Sequence, residues 1–180
     1  AAGNLGGRRI IKKQLADGRK TFLDFRETAP KGATANMYLD KDGNVIAGLS
    51  TKGHLAVGVP GSVAGMEYAR EKYGTMKRAD VIAPALQLAE DGFVLDQGDV
   101  SMFQTATKDF EDDPASAAIF LNNGKPFQVG ERLAQHELAE TLREISKRGT
   151  DGFYRGWVGA AIVASNQAGK GLLTQEDLDN

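Results

Sequence analysis

The hydrophobic pattern of the sequence changes at residues 58–61, which read Gly-Val-Pro-Gly. Before this point, short runs of alternating apolar and polar residues are separated by turn residues, which is typical of strands. After it, apolar residues recur every three or four positions, which indicates helices. The sequence therefore predicts an α+β protein, with a strand- and turn-rich segment at residues 1–50 and a mainly helical lobe at 51–180.

The first segment contains a predicted β-hairpin. Extended runs at residues 9–15 and 20–26 flank Ala16-Asp17-Gly18, and an Asp-Gly pair favours the positive backbone angles of a tight turn. Alternation along the second run directs Leu23 and Phe25 to one face and places Arg26 near a strand end, on the other face. A second turn, at residues 40–44, has the alternating Asp, Asp and Asn of a calcium loop. It lacks the glycine position and distal glutamate of that loop, so we interpret it as an ordinary turn.

Helices are predicted at residues 62–73, 78–90, 97–110 and about 150–168, with Ser62 as an N-cap and Pro84 either kinking the second helix or lying in its first turn. The most regular apolar stripe runs from Leu133 to Ile145, before Gly149. A short segment ending at Leu121 precedes a turn at residues 122–126. Thr174 followed by Asp177 is a capping-type helix start, which we interpret as an element cut short within a longer protein.

Composition narrows the function classes. At 180 residues the chain has the length of one domain, so 1–180 is expected to be a single, partial domain. Its 22 basic and 24 acidic residues give no general attraction to nucleic acid. The chain has no cysteine, which excludes thiolate catalysis and cysteine-ligated zinc, and no apolar run approaches the ~20 residues of a membrane span.

The residues offer no catalytic motif of their own. The two histidines, His54 and His136, have no metal-ligand spacing, and His136 is expected on the polar surface of its helix. There is no Gly-x-Ser-x-Gly elbow and no phosphate-binding loop. From the residues alone we predict no catalytic residue and no metal site, and the function of the α+β domain stays open.

Three separated stretches resemble the gamma-glutamyltransferase family of N-terminal-nucleophile hydrolases. The first is Phe-Leu-Asp-Phe-Arg-Glu-Thr-Ala-Pro at residues 22–30, and the second is His-Leu-Ala-Val-Gly-Val-Pro-Gly-Ser-Val-Ala-Gly at 54–65. The third combines Gly-Phe-Tyr-Arg-Gly at 152–156 with Gly-Leu-Leu-Thr-Gln-Glu-Asp-Leu at 171–178. Their order and spacing also match the family, so the resemblance covers almost the whole chain and corresponds to the family's large subunit.

The resemblance implies a four-layer αββα sandwich assembled from two subunits of one autoprocessed precursor. It implies a hydrolase and transferase of glutathione metabolism, which hydrolyses glutathione and passes the gamma-glutamyl group to water, amino acids or peptides. The nucleophile would be the N-terminal threonine of the small catalytic subunit, with its own amine as base and no cofactor. This chain is therefore expected to be inactive alone, and by resemblance to bacterial relatives it would be periplasmic or secreted.

The resemblance also implies a substrate-binding role for Arg26, the arginine of the Asp-Phe-Arg-Glu signature, which would bind the α-carboxylate of the gamma-glutamyl group. A guanidinium can pair with a carboxylate through two parallel hydrogen bonds, which a lysine cannot reproduce. From the residues alone, Arg26 could instead form a structural ion pair with Asp24 or Glu27.

One stretch departs from the family. Residues 8–13, Arg-Arg-Ile-Ile-Lys-Lys, stand where the family has glycines and a buried apolar strand, so this strand is expected either to lie at an exposed edge or to be altered. Two other functions stay open: a non-catalytic helical scaffold or binding module, engineered or degenerate, and a related acylase such as a cephalosporin acylase.

Overall fold

The computed structural model describes the backbone of residues 10–14 and all of residues 18–180. This part of the chain has an α+β fold with eight α-helices and eight short strands. Each strand pairs with one other strand, so the sheets are all two-stranded ribbons. The chain divides into two compact units, of which the first runs up to Arg78 and resumes at Glu144–Asn180, and the second is Ala79–Arg143.

The first unit begins with the predicted hairpin. Strand β1 (Ile10–Gln14) pairs antiparallel with β2 (Lys20–Asp24), from Ile10 opposite Asp24 to Gln14 opposite Lys20. This pairing confirms the two strands, while turn residues 15–17 and the basic residues 8 and 9 lie outside the described residues. In β2, Phe22 is exposed and Leu23 is partly buried, as the alternation predicts.

The chain leaves β2 earlier than the sequence pattern suggests, since the strand ends at Asp24 rather than at residue 26. Strand β3 (Glu27–Thr28) then pairs antiparallel with β4 (Val59–Pro60), which follows a 3₁₀ turn at His54–Ala56. Arg26 therefore lies in the break between two strands. Between the two motifs, the turn at 40–44 is confirmed: Leu39 bridges to Val45, and the Asp40 carboxylate accepts hydrogen bonds from the backbone of Asp42 and Asn44.

The helices of the first unit are α1 (Ser62–Tyr73), α6 (Thr150–Tyr154), α7 (Trp157–Ala168) and α8 (Gln175–Asp179). The prediction of one continuous helix over 150–168 is wrong. The chain breaks between Tyr154 and Trp157, because Gly156 has a φ of 77° that no continuing helix contains. The break also turns Trp157 outward, half exposed, where the sequence pattern placed it in the core.

Helix α2 (Arg78–Asp91) and helix α5 (His136–Arg148) each begin in one unit and end in the other. Pro84 lies inside α2, past its first turn. The predicted apolar stripe from Leu133 is wrong at its start, because Leu133 belongs to a strand and the helix begins only at His136. Leu138 is also largely exposed, whereas its neighbour Ala139 is fully buried.

The second unit also contains α3 (Gln97–Glu111) and α4 (Pro114–Phe120), with strands β5 (Phe93–Val94), β6 (Leu121–Asn122), β7 (Lys125–Pro126) and β8 (Arg132–Leu133). Strand β5 pairs with β8, and β6 pairs with β7 across the predicted Asn-Gly turn. The turn is tight because Asn123 and Gly124 both have positive φ, at 52° and 77°.

The core of the second unit is apolar and rich in aromatic rings. Leu95, Val100, Phe127 and Leu133 are buried together, with Phe93 and Phe103 packed against them. The Phe103 ring meets those of Phe110 and Phe120 edge-on, at centroid distances of 6.2 and 5.7 Å. Helix α3, which carries Phe103, begins in a reciprocal capping box between Asp96 and Asp99.

Candidate functional site

The three stretches picked out in the sequence meet at one groove in the first unit. The groove has a volume of about 540 Å³ and is lined by residues 24–28, 59–61, 64–65, 150–151, 154–155 and 177–180. Each stretch contributes a different part of the groove. The first contributes the break between β2 and β3, the second the junction of β4 and α1, and the third helices α6 and α8. The geometry is local to one compact unit, which makes the groove the candidate functional site.

Backbone pairing joins the first stretch to the second. Glu27 lies opposite Pro60 and Thr28 opposite Val59 in the β3–β4 ribbon. The ribbon is extended by one bond, since the Gly61 N–H donates to the Arg26 carbonyl oxygen at 2.9 Å. The main chain of Arg26 is thus held by the residue that precedes helix α1.

A phenol joins the third stretch to the second. Helix α1 has Gly61 as its N-cap rather than the predicted Ser62, and glycine has no side chain with which to cap the helix. The Tyr154 hydroxyl oxygen takes this role by accepting a hydrogen bond from the Ala64 N–H at 3.1 Å. Tyr154 is buried, and burial raises the pKa of its phenol, so it stays neutral.

A carboxylate joins the third stretch to the end of the first. Asp177 and Thr174 form the predicted capping box at the start of α8. The same Asp177 carboxylate accepts a hydrogen bond from the Lys31 backbone N–H at 2.8 Å, across 146 residues of sequence. This bond is the main cause that lowers the pKa of Asp177, with further bonds from Thr174. An exposed ion pair between Lys31 and Glu176, at 2.6 Å, lies beside it.

The predicted substrate-binding residue, Arg26, lines the groove. One guanidinium nitrogen of Arg26 lies 2.8 Å from a Glu27 carboxylate oxygen, so the structural ion pair considered from the sequence is present. The pair is open to solvent, with 40% of the Arg26 side chain and 42% of the Glu27 side chain exposed. An exposed pair contributes about 0–1 kcal/mol and is readily exchanged for another partner.

A second arginine lines the same groove. Arg155 pairs with Asp151 at 2.7 Å, one helical turn earlier, and reaches Asp179 of α8 at 3.5 Å. The groove is thus lined by two arginines and several acidic residues, of which Asp177 is buried and the others are exposed. Such a surface favours a zwitterionic ligand over a simple anion, because the carboxylates of the groove would repel an anion.

The remaining candidates do not join the site. His54 and His136 are both exposed and line neither wall of the groove, and the surface position predicted for His136 is confirmed. In residues 10–14 and 18–180, no group of three or more His, Cys, Asp or Glu side chains is placed to hold a metal ion. No helix in the same residues has the length and apolar character to cross a membrane.

The family model for gamma-glutamyltranspeptidase matches residues 1–180, the whole chain. This chain belongs to the gamma-glutamyltranspeptidase family. It is 68% identical over 180 residues to a glutathione hydrolase proenzyme of Pseudomonas sp. (strain A14), a match that covers 99% of this chain and 31% of that protein. It is 40% identical over 178 residues to the glutathione hydrolase proenzyme of Escherichia coli (strain K12), covering 98% of this chain and 31% of the relative.

The fold agrees with that membership of the gamma-glutamyltranspeptidase family. The crystal structure of Helicobacter pylori gamma-glutamyltranspeptidase superposes with a TM-score of 0.93 at 43% identity, over 99% of this chain and 52% of that chain. The chain spans about a third of the length of the curated relatives it matches. The family likeness therefore covers one part of those longer proteins.

Sequence reasoning missed three residues of the groove. Tyr154 and Arg155 lie in a stretch that the family resemblance singled out, but nothing in the local pattern predicts a phenol that caps a helix 90 residues away. Asp177 was expected only as a capping residue of its own helix. Its bond to Lys31 depends on tertiary packing, for which a single sequence carries no signal.

Proposed function

We propose that this chain is part of the large subunit of a glutathione hydrolase, and that Arg26 binds the α-carboxylate of the gamma-glutamyl donor in the groove. The position of Arg26 is the observation that carries the proposal. Arg26 lines an open groove that all three family-like stretches form, and its one ion pair in the described part of the chain is a solvent-exposed contact with Glu27.

The chemistry of Arg26 fits this role. A guanidinium has five N–H donors in a planar fork, and the contact with Glu27 involves one of its nitrogens. A donor carboxylate could take two parallel hydrogen bonds from the fork, at the expense of an exposed pair that contributes about 0–1 kcal/mol. The neighbouring carboxylates of the groove would meet the α-ammonium group that a gamma-glutamyl donor also carries.

The reaction itself would depend on a second polypeptide. In the family, the nucleophile is the N-terminal threonine of the small subunit, with its amine as base and no cofactor. We propose that the large subunit holds the donor while the threonine oxygen attacks the gamma-carbonyl carbon. A gamma-glutamyl ester then forms as the C–N bond of the donor breaks, and the leaving amine takes the proton that the threonine's own amine removed from the hydroxyl. The 180-residue chain should then give no turnover of a chromogenic gamma-glutamyl anilide, and activity should appear only with the small subunit from the same precursor.

We test the role of Arg26 in the complete two-subunit enzyme. Arg26→Ala should raise the KM for the gamma-glutamyl anilide about 10- to 100-fold, since hydrogen bonds to charged groups contribute about 1.5–3 kcal/mol. The kcat should change little, because the carboxylate is bound equally in the ground state and the transition state. Arg26→Lys should fall between, because it keeps the charge and loses the fork.

Glu27→Gln is the matched control. It removes the carboxylate that pairs with Arg26 and leaves the arginine in place, so the KM should stay the same or fall. A KM that is unchanged in Arg26→Ala would contradict the proposal. Hydrolysis of a cephalosporin side-chain amide in place of the gamma-glutamyl anilide would indicate the acylase, and no turnover of either substrate would indicate a scaffold.

We further propose that this chain forms one part of an αββα sandwich. Two-stranded ribbons of two to five residues per strand cannot build a sandwich alone, so the remaining strands would come from the rest of the precursor. We also propose that the enzyme is exported, as expected from its bacterial relatives. Cell fractionation with an assay of the periplasm and medium tests this location.

A further inference from the structure

The main chain before Arg26 passes unusually close to two glycines of the second stretch. A Cβ atom built on Gly61 would lie 2.1 Å from the Phe25 carbonyl oxygen and 3.0 Å from the Arg26 carbonyl oxygen. A Cβ atom built on Gly65, in the first turn of α1, would lie 2.0 Å from Cγ and 2.3 Å from Cβ of Phe25. A change of χ1 would move the Phe25 Cγ atom, but the Phe25 Cβ atom and the two carbonyl groups are fixed by the main chain, so they can move aside only if the backbone moves.

Gly65 is buried, and the root of the Phe25 side chain rests directly on its backbone. Phe25 is the residue before Arg26, and the next carbonyl is fixed by the Gly61 N–H. Helix α1 therefore holds the chain on both sides of the Arg26 Cα atom, through a side-chain seat at Gly65 and a backbone bond at Gly61.

We propose that Gly65 is a positioning residue for donor binding, which seats Phe25 and thereby sets the distance at which Arg26 meets the donor carboxylate. This proposal rests on the function proposed for Arg26. A methyl group at position 65 would force Phe25, and the backbone joined to it, away from α1. A bidentate hydrogen bond has narrow geometric limits, so a shift of that size separates the fork from its carboxylate.

The test is made in the complete two-subunit enzyme with the gamma-glutamyl anilide. Gly65→Ala should raise the KM about tenfold or more while kcat changes little, since misplacement of a binding group by about 1 Å can cost up to about 100-fold. The double variant with Arg26→Ala decides whether the effect passes through the arginine. If it does, Gly65→Ala adds no further rise in KM once Arg26 is absent.

Gly74→Ala is the matched control at the other end of the same helix. A Cβ atom there would lie 2.5 Å from the Arg70 carbonyl oxygen of α1 itself and would touch nothing in the groove. It should lower the melting temperature and leave the KM unchanged. A rise in KM equal to that of Gly65→Ala would mean that the effect is general destabilisation, and would overturn the proposal.

A second variant covers the case in which Gly65→Ala does not fold. Phe25→Ala leaves Gly65 intact and removes the Cγ atom and the ring that rest on it, so the KM should again rise several-fold, and only while Arg26 is present. If Arg26→Ala raises the KM but neither Gly65→Ala nor Phe25→Ala does, the positioning role is wrong and the function of Arg26 stands. If Arg26→Ala itself has no effect, the proposed function fails.

Discussion

The Tyr154 hydroxyl caps helix α1 by accepting a hydrogen bond from the Ala64 N–H at 3.1 Å. This bond ties α6 to the first turn of the helix whose N-cap residue, Gly61, also holds the Arg26 carbonyl. One buried, neutral phenol thus supports the part of the groove wall that α1 forms. The stability of the site can therefore be tested without touching Arg26.

Tyr154→Phe should destabilise the protein by about 1 kcal/mol or somewhat more, because it leaves a helix N-terminal N–H without its partner. The measurement is urea unfolding followed by circular dichroism. Tyr68→Phe is the control: it removes a tyrosine hydroxyl whose hydrogen bond, from Lys72, lies on the exposed face of α1, and it should change the free energy of unfolding by less than about 0.5 kcal/mol. Equal losses in the two variants would contradict the capping role.

Glu67 gives the first unit a predictable dependence on pH. Its nearly buried carboxylate accepts two hydrogen bonds from Arg70, at 2.8 and 2.9 Å, and two from Arg78, one from Nε at 2.7 Å and one from Nη2. Arg70 first, and then Arg78, lowers the pKa of Glu67 from 4.5 to about 2. The folded protein thus holds this carboxylate ionised at a pH where the unfolded chain is already protonated.

The sign of the effect follows from the lowered pKa. The stabilisation is fully present above pH 4.5, declines as the pH falls, and is lost near pH 2, the folded value. Glu67→Gln should therefore cost of the order of 2 kcal/mol at pH 7 and much less near pH 2. Unfolding at a series of pH values checks this, with the exposed Glu71→Gln as control; a cost for Glu67→Gln that does not vary between pH 6 and 2 would rule out the mechanism.

Asn166 is a buried clamp between three segments of the first unit. Its side-chain amide donates to the His54 carbonyl oxygen at 2.9 Å, and its side-chain oxygen accepts from the Leu173 N–H at 2.8 Å. Asn166→Ala leaves the Leu173 N–H without a partner and removes one of two donors from the His54 carbonyl oxygen, which also accepts from the Val57 N–H, and should cost about 2 kcal/mol. Ser165→Ala, at an exposed neighbouring position of the same helix, is the control and should change the melting temperature little; equal losses in the two variants would refute the role of Asn166.

Phe103 is central to the core of the second unit, where it contacts the rings of Phe110, Phe120 and Phe127. Phe103→Ala should leave a cavity and cost about 2–4 kcal/mol, less than for a fully buried ring. Hydrogen exchange of residues 97–120 should accelerate. Met102→Ala, at a neighbouring side chain that is 70% exposed, is the control and should leave exchange unchanged.

Local sequence patterns predicted the elements that local physics determines. The Asn-Gly turn at 123–124, the Thr174–Asp177 capping box and helix α1 are all confirmed, because each depends on residues within four positions of one another. The same reasoning failed over 150–168, where a glycine with positive φ divides a pattern that is apolar on both sides. It also failed at Leu133, which was predicted in a helical stripe but lies in a strand that pairs with Phe93, 40 positions earlier.

The family and the identity of the candidate arginine came from the sequence, since motif residues carry their own signature. The role of Arg26 and the single-domain organisation stay predictions. Only the tertiary structure decided that stretches at 22–30, 54–65 and 152–178 form one groove, that a phenol caps α1, and that Gly65 seats Phe25. The physical reason is that these contacts join residues 35 to 146 positions apart, whose meeting depends on the packing of the whole unit and not on local propensity.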